Sequence, residues 1–316
     1  MNLIGRLQPV IIISCALLGL MLGAMTPLGS AAFGWIEIFL MMLLYILFLS
    51  VDLKQITSSF TNVRFTTAAV AINFIFTPLL GYLLGKLFFA GSVDIRIGLL
   101  MLLVTPCTDW YLVFTGMSKG NVELGMSILP LNLILQIVLL PVYLLVLIGS
   151  EVTMDAAALI ESVVIVLIVP FLLSAVTKAA IGKSVRFQSF LTERGDDLQL
   201  LFLCLAVIVM FASEGKNLLD NPTLLVQMFV PLLLFFATVL IAAQLVGRAI
   251  DLPKRDTVAL SFTTLARNSP LSLAIAVATF PDRPLIALAL VIGPLIELPV
   301  LSVISDILKR WNTNEE

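Results

Sequence analysis

Two short stretches of the sequence place residues that could bind a solute or carry a proton inside strongly apolar surroundings. Residues 105–109 and 266–270 each contain a proline, small polar side chains and one full charge. A charge at the centre of a bilayer costs at least about 2.5 kcal/mol, so it normally faces a cavity or a partner. The candidate binding residues for substrate or ion are Pro106, Cys107, Thr108, Asp109, Arg267, Asn268, Ser269 and Pro270.

The composition of the chain indicates a membrane protein. Of its 316 residues 60% are hydrophobic and 12% are charged, about half the charged fraction usual in soluble domains. A soluble protein of this size cannot bury so much apolar surface. The sequence contains no histidine, which excludes imidazole catalysis and His–metal sites, so we expect neither an enzyme nor a cofactor. The net charge of −2 and the lack of a basic tract argue against nucleic acid as a partner.

The hydropathy pattern predicts ten transmembrane helices, since a spanning helix needs about 20 mainly apolar residues. They cover approximately residues 9–25, 32–51, 65–89, 95–117, 122–148, 157–180, 197–213, 223–250, 256–280 and 284–308. Thirteen of the 18 Lys and Arg residues lie at the N-terminus or after even-numbered spans, and four lie in the opposite loops. By the positive-inside rule, both termini are predicted to be cytoplasmic in a cell membrane.

The fourth and ninth predicted spans contain the two interrupted stretches, and the spans that follow them also correspond. Pro106 lies 24 residues before Pro130, and Pro270 lies 24 residues before Pro294. Five spans per half would place the second half, residues 151–316, upside down relative to residues 1–150. Inverted repeats with paired discontinuous helices are typical of secondary transporters, whose site lies at the membrane midplane. A simple kink at each proline is the alternative interpretation.

Asp109 and Arg267 carry the charges of the two stretches, and we expect them to approach each other. In the functional interpretation Asp109 carries a coupling proton and Arg267 is the fixed positive charge beside it. In the structural interpretation the two residues form an ion pair that holds the helices together. Glu297, between Pro294 and Pro299, is a third charge within a span.

Asn73, Asn132 and Gln136 are polar residues within the third and fifth predicted spans. Hydrogen bonding between helices is their expected role, and lining of a cavity is the alternative. Gly19 and Gly23 form a small-residue packing motif. The three cysteines are far apart in sequence and predict neither a disulfide framework nor a cysteine metal site. Cys15 and Cys204 are interpreted as small buried hydrophobic residues.

The chain resembles the bile acid:sodium symporter superfamily and, within it, the arsenical-resistance efflux family. The resemblance rests on residues 106–108, 119–121, 273–277 and 293–299, and it extends over nearly the whole chain. It implies ten helices in two inverted halves, with discontinuous fourth and ninth helices that cross at the midplane. It also implies that Cys107 is a soft ligand for trivalent arsenic, because a thiolate suits a polarisable metalloid; the alternative is a small side chain tolerated at a crowded crossing.

Several residues depart from the patterns that this resemblance implies. Asp109, Arg267 and Ser272 stand where the arsenical branch has other residue types. Positions that bind sodium in the symporter branch correspond here to Tyr111, Leu112, Thr263 and Arg267, and only Asn268 is retained. A guanidinium repels a sodium ion, so sodium coupling is disfavoured.

The prediction is therefore a secondary transporter for proton-coupled, sodium-independent efflux of arsenite, antimonite or a related small solute. The alternative is transport of organic anions such as bile-acid-like carboxylates or sulfonates, with or without sodium. A receptor or an intramembrane enzyme is disfavoured, since the former needs no broken helices and the latter needs a catalytic dyad.

Overall fold

The fold is all-helical throughout the residues described by the computed structural model, which are 3–25, 29–50, 62–108, 110–149, 156–182, 184–220 and 223–313. The helices are α1 (Leu3–Met25), α2 (Gly29–Ser50), α3 (Val63–Phe88), α4 (Val93–Val104), α5 (Trp110–Met117), α6 (Val122–Leu147), α7 (Ala156–Ile181), α8 (Val185–Asp220), α9 (Thr223–Ala249), α10 (Lys254–Leu265), α11 (Ser269–Thr279) and α12 (Pro284–Thr313).

Five segments of these helices are long and apolar enough to cross a membrane, by length and composition. They are Val63–Phe88, Val122–Leu147, Glu193–Ser213, Thr223–Ala249 and Pro284–Trp311. Helices satisfy their own backbone hydrogen bonds, which is the condition for crossing lipid. The all-helical membrane fold predicted from the apolar runs of the sequence is confirmed at this level.

Two helix breaks fall within the stretches singled out in the sequence. Helix α4 ends at Val104 and α5 begins at Trp110, while α10 ends at Leu265 and α11 begins at Ser269. Pro270 is the second residue of α11, where a missing backbone N–H costs no intrahelical hydrogen bond. Asn268 precedes α11, and its Oδ1 accepts a hydrogen bond from the Leu271 N–H (3.2 Å), which caps the helix.

Helix α3 contains one wide turn, a π-helical segment at Ile72–Phe76, which the sequence did not predict. The Tyr143 hydroxyl of α6 donates a hydrogen bond of 2.6 Å to the Phe74 carbonyl within this turn. The wide turn includes Asn73, whose side chain is fully buried. Such single-turn π segments are frequently found at functional sites.

The chain divides into two compact units, each built from several segments. The first comprises residues 1–52, 155–224 and 273–288, and the second comprises residues 53–154, 225–272 and 289–316. In the first unit, α8 packs against α1 and α2, and α7 packs against α2. In the second unit, α3 packs against α4, and α10 packs against α3, α5 and α6. All the candidate site residues that the structure describes belong to the second unit.

Helices α1 and α8 of the first unit approach each other closely at the predicted small-residue motif. A Cβ atom built on Gly19 would lie 2.5 Å from the Ile208 carbonyl oxygen. One on Gly23 would collide with the carbonyl oxygen of Ala212. Only glycine permits this backbone contact, so the packing role predicted for Gly19 and Gly23 is confirmed.

Candidate solute and ion site at the helix breaks

The two helix breaks are joined to each other by backbone hydrogen bonds. Pro106 and Arg267 form an isolated antiparallel bridge. The Cys107 N–H donates to the Ala266 carbonyl (2.9 Å), and the Asn268 N–H donates to the Thr105 carbonyl (2.8 Å). Backbone groups released by the end of one helix are therefore satisfied by the interruption of the other, which an apolar environment requires.

The guanidinium of Arg267 is buried, with 1% of the residue exposed. Its Nε donates to the Leu265 carbonyl (3.1 Å) and its Nη1 to the Leu103 carbonyl (2.9 Å). Its Nη2 donates to Asn73 Oδ1 (3.2 Å), and its central carbon lies 5.2 Å from the centroid of the Phe235 ring. Carbonyls near the ends of α4 and α10, together with an amide and an aromatic face, thus hold a cation inside the second unit.

Glu297 is the carboxylate that the structure describes beside Arg267. Its side chain is buried, and Oε1 accepts a hydrogen bond of 2.8 Å from the backbone N–H of Arg267. The predicted approach of Asp109 to Arg267 lies outside the described residues. The sequence identified Glu297 as a charge within a span but did not predict that it binds the second helix break.

Cys107 is buried, with 2% of its surface exposed, and lies close enough to Arg267 for an electrostatic interaction. Its neighbour Thr108 accepts a long hydrogen bond, 3.5 Å, from Asn268 Nδ2. Ser269 is buried and donates to the Leu290 carbonyl. A thiol, a hydroxyl and an amide from the two breaks are therefore brought together next to a positive charge.

A pair of hydroxyls links Thr105, the residue that follows α4, to the first turn of α11. Thr105 Oγ1 and Ser272 Oγ lie 2.7 Å apart, and the Ser272 hydroxyl also lies 2.8 Å from the Met101 carbonyl. Both residues are completely buried. These side chains add hydrogen bonds between the two segments to those of the backbone bridge.

A group of buried amide and hydroxyl side chains extends from Arg267 towards α6. Asn73 Nδ2 donates to the Thr263 carbonyl (3.2 Å), and Asn132 Nδ2 donates to Thr263 Oγ1 (3.2 Å). Within the described part of the chain, Asn132 Oδ1 and both amide atoms of Gln136 have no hydrogen-bond partner. Buried polar atoms are normally paired, so unpaired ones mark places where water or a solute would bind. Asn73 and Asn132 make the predicted interhelical hydrogen bonds, and Asn132 and Gln136 also keep free polar atoms.

Several groups that contact Arg267 were not predicted from the sequence. The Leu103 and Leu265 carbonyls become acceptors because their helices end nearby, and side-chain types do not reveal this. Phe235 belongs to a run of apolar residues on α9 in which no single aromatic stands out. The wide turn at Ile72–Phe76 did have a local signal that was missed, because Pro78 has no N–H to donate to the Phe74 carbonyl four residues earlier.

Comparison with known proteins identifies the class to which this arrangement belongs. The fold is that of a membrane protein with several spanning helices, and residues 37–221 match the Sodium Bile acid symporter family. The chain belongs to this family of membrane transporters, as its sequence motifs indicated.

Individual relatives agree with this assignment. The arsenical-resistance protein Acr3 of Corynebacterium glutamicum is 25% identical over 78% of this chain and 70% of its own length. The Acr3 protein of Alkaliphilus metalliredigens is 21% identical over 96% of this chain and 92% of its own length. An uncharacterized Bacillus subtilis protein, YbaS, is 27% identical over 77% and 78% of the two chains.

Proposed function

We propose that the chain is a secondary active transporter that exports arsenite, antimonite or a related small solute, coupled to protons and independent of sodium. The single observation that carries this proposal is the position of Cys107, buried in one helix break that is bridged to the other. A thiolate is a soft ligand suited to trivalent arsenic or antimony. The similarity to two arsenical-resistance proteins supports the same substrate class.

The proposed architecture has ten spans in two inverted halves, residues 1–150 and 151–316, with the two breaks at the midplane of a cell membrane. The antiparallel bridge between Pro106 and Arg267 supports it, because inverted segments run in opposite directions where they meet. The new helix beginning at each break would direct partial positive charge towards a bound solute. The lipid bilayer, the solute and the coupling proton are then the partners of the chain.

Sodium independence is supported by the contacts of Arg267. Carbonyl and amide oxygens are the usual ligands of a hard cation, and here Leu103, Leu265 and Asn73 give theirs to the guanidinium. A permanent positive charge occupies the position, so a sodium ion would have to bind against direct repulsion.

Proton coupling requires a carboxylate that gains and loses a proton during transport. Asp109 is the proposed carrier, with Arg267 as the fixed charge beside it. Single and double replacement of Asp109 and Arg267 separates a transport role from a structural ion pair. Loss of transport with intact folding supports the carrier, and intact transport in both single variants overturns both roles.

Transport of an organic anion is the second candidate, supported by the positive charge of Arg267. In the described structure each of its three nitrogens already donates a hydrogen bond. Three of its five N–H donors are therefore used, and only 1% of the residue is exposed, so a carboxylate or sulfonate has little access to the charge and the geometry favours a small neutral solute.

The decisive experiment measures arsenite export from cells that express the native chain, Cys107→Ser or Ser189→Ala. Ser189 is an exposed residue on α8 and serves as the matched control. We expect export by the native chain and Ser189→Ala, loss of export by Cys107→Ser, and no effect of replacing sodium with potassium. A protonophore should stop export.

Equal export by Cys107→Ser and the native chain would remove the thiolate from the mechanism. Export that stops when sodium is withdrawn would overturn the coupling proposal. Uptake of an organic anion without arsenite export would favour the second candidate.

A further inference from the structure

Helices α1 and α8 run side by side in the same direction and in register. Gly19 of α1 contacts Ile208 of α8. Gly23, four residues later on α1, contacts Ala212, four residues later on α8. Residues four apart on a helix lie above one another on the same face. Cys15 lies four residues before Gly19, and Cys204 lies four residues before Ile208. The register therefore places these two cysteines opposite each other.

The side chains confirm this register. The thiols of Cys15 and Cys204 lie close enough to interact with each other. Neither cysteine is in a disulfide. Cys204 is buried and Cys15 is partly exposed, so one edge of the pair is open. Two residues 189 positions apart in sequence thus form an adjacent dithiol inside the first compact unit.

We propose that Cys15 and Cys204 form a binding site for a thiophilic trivalent metalloid, arsenic or antimony, which links α1 to α8. Adjacent thiols are soft ligands, and two of them on neighbouring helices can bind one such atom together. This site lies in a different compact unit from Cys107. It does not depend on the proposed transport function, since it requires only two adjacent thiols.

The binding step balances without an oxidant or a reductant. Arsenous acid carries three hydroxyl groups on trivalent arsenic. Each thiol sulfur forms one bond to arsenic and one arsenic–oxygen bond breaks. The thiol proton leaves with the departing hydroxide as water. Two waters are released, one hydroxyl remains on arsenic, and its oxidation state does not change.

The experiment uses phenylarsine oxide, which has two exchangeable positions on trivalent arsenic, and the purified, reduced full-length chain. All variants carry Cys107→Ser, so that Cys15 and Cys204 are the only thiols that can bind arsenic. The matched variants add Cys15→Ser or Cys204→Ser, which replace one sulfur with an oxygen of similar size. Intact-mass spectrometry measures the adduct before and after washing with a monothiol or with 2,3-dimercaptopropanol.

We expect one adduct per chain that survives the monothiol and is removed by the dithiol. In either single-thiol variant the monothiol should remove it. The cross-link should also raise the thermal unfolding midpoint of the Cys107→Ser chain and leave that of both single-thiol variants unchanged. Absence of an adduct, or equal removal by the monothiol in all variants, overturns the proposal.

Discussion

Arg267 shows how directed hydrogen bonds to neutral groups can hold a full charge in position within an apolar protein. Its donors reach two carbonyls, at Leu103 and Leu265, and the amide oxygen of Asn73, in three different directions. The planar, rigid fork of a guanidinium suits such an arrangement, whereas a lysine ammonium is a single point. The charge is thereby fixed in position, as the proposed transport mechanism requires.

Replacing Arg267 with lysine should therefore destabilise the protein although the charge is kept. At least one buried acceptor loses its donor, at a cost of about 1–3 kcal/mol for each unpaired group. Thermal unfolding of the purified chain measures the effect, with Arg248→Lys on an exposed surface as the control. Native stability together with native export in Arg267→Lys would show that these contacts do not matter.

Glu297 provides a second prediction, because its carboxylate accepts the backbone N–H of Arg267. Glu297→Gln keeps an acceptor oxygen for this N–H but removes the negative charge beside Arg267, so it should be destabilised less than Glu297→Leu. Glu297→Leu leaves the N–H unpaired in a buried position and should lose about 1–3 kcal/mol of stability. Thermal unfolding of the two variants side by side tests this, and equal stability of both contradicts it.

At the residue scale, the sequence identified Arg267 and Glu297 because charges within apolar segments are rare. It did not predict their partners. The acceptors of Arg267 are mostly main-chain carbonyls, and any residue type could supply them. The neighbour of Cys15 was missed for a similar reason, since a sequence separation carries no information about which helices pack together.

At the element scale, the breaks after α4 and α10 were predictable because a proline and a charge interrupt each apolar run. The backbone bridge between them is a tertiary feature, and only the hypothesis that the breaks meet anticipated it. The π-helical turn at Ile72–Phe76 has a local cause in Pro78, which cannot donate to the Phe74 carbonyl. The hydrogen bond by which Tyr143 of α6 satisfies that carbonyl is a tertiary contact, which local sequence could not reveal.

The contact between α1 and α8 gives a prediction for a whole helix pair. Gly19→Ala and Gly23→Ala each place a methyl group against a backbone carbonyl of α8, which cannot move aside as a side chain can. Overpacking of this kind costs about 1–3 kcal/mol. Gly91→Ala is the control, since a Cβ there meets nothing within 4 Å. Thermal unfolding should separate the three variants, and equal midpoints would show that the helices are further apart.

At the scale of the whole molecule, composition was sufficient for the membrane class, because no soluble globule could bury so much apolar surface. The apolar runs of about 20 residues were sufficient for its helices. The distribution of Lys and Arg also predicts the orientation of the chain in the membrane, which helix packing alone does not give. The two compact units could not be anticipated, since each collects segments that are distant in sequence.

The orientation is tested by fusing a fluorescent protein or alkaline phosphatase to either end of the chain. Both termini should give a fluorescent fusion and an inactive phosphatase, because the positively charged loops hold them in the cytoplasm. The loop at Lys119, exposed at a turn after α5, is predicted to be a third cytoplasmic position. An active phosphatase at one terminus would mean an odd number of spans.

The backbone bridge also has a mechanical consequence. Hydrogen bonds run in both directions across it, from Cys107 to Ala266 and from Asn268 to Thr105. Movement of one helix break relative to the other would leave two backbone N–H groups without acceptors in a dry interior. The two breaks must therefore move together as one rigid unit. In any rearrangement that opens the protein to the opposite side of the membrane, the bending or rotation must therefore occur outside the two bridged breaks and leave the hydrogen bonds between them intact.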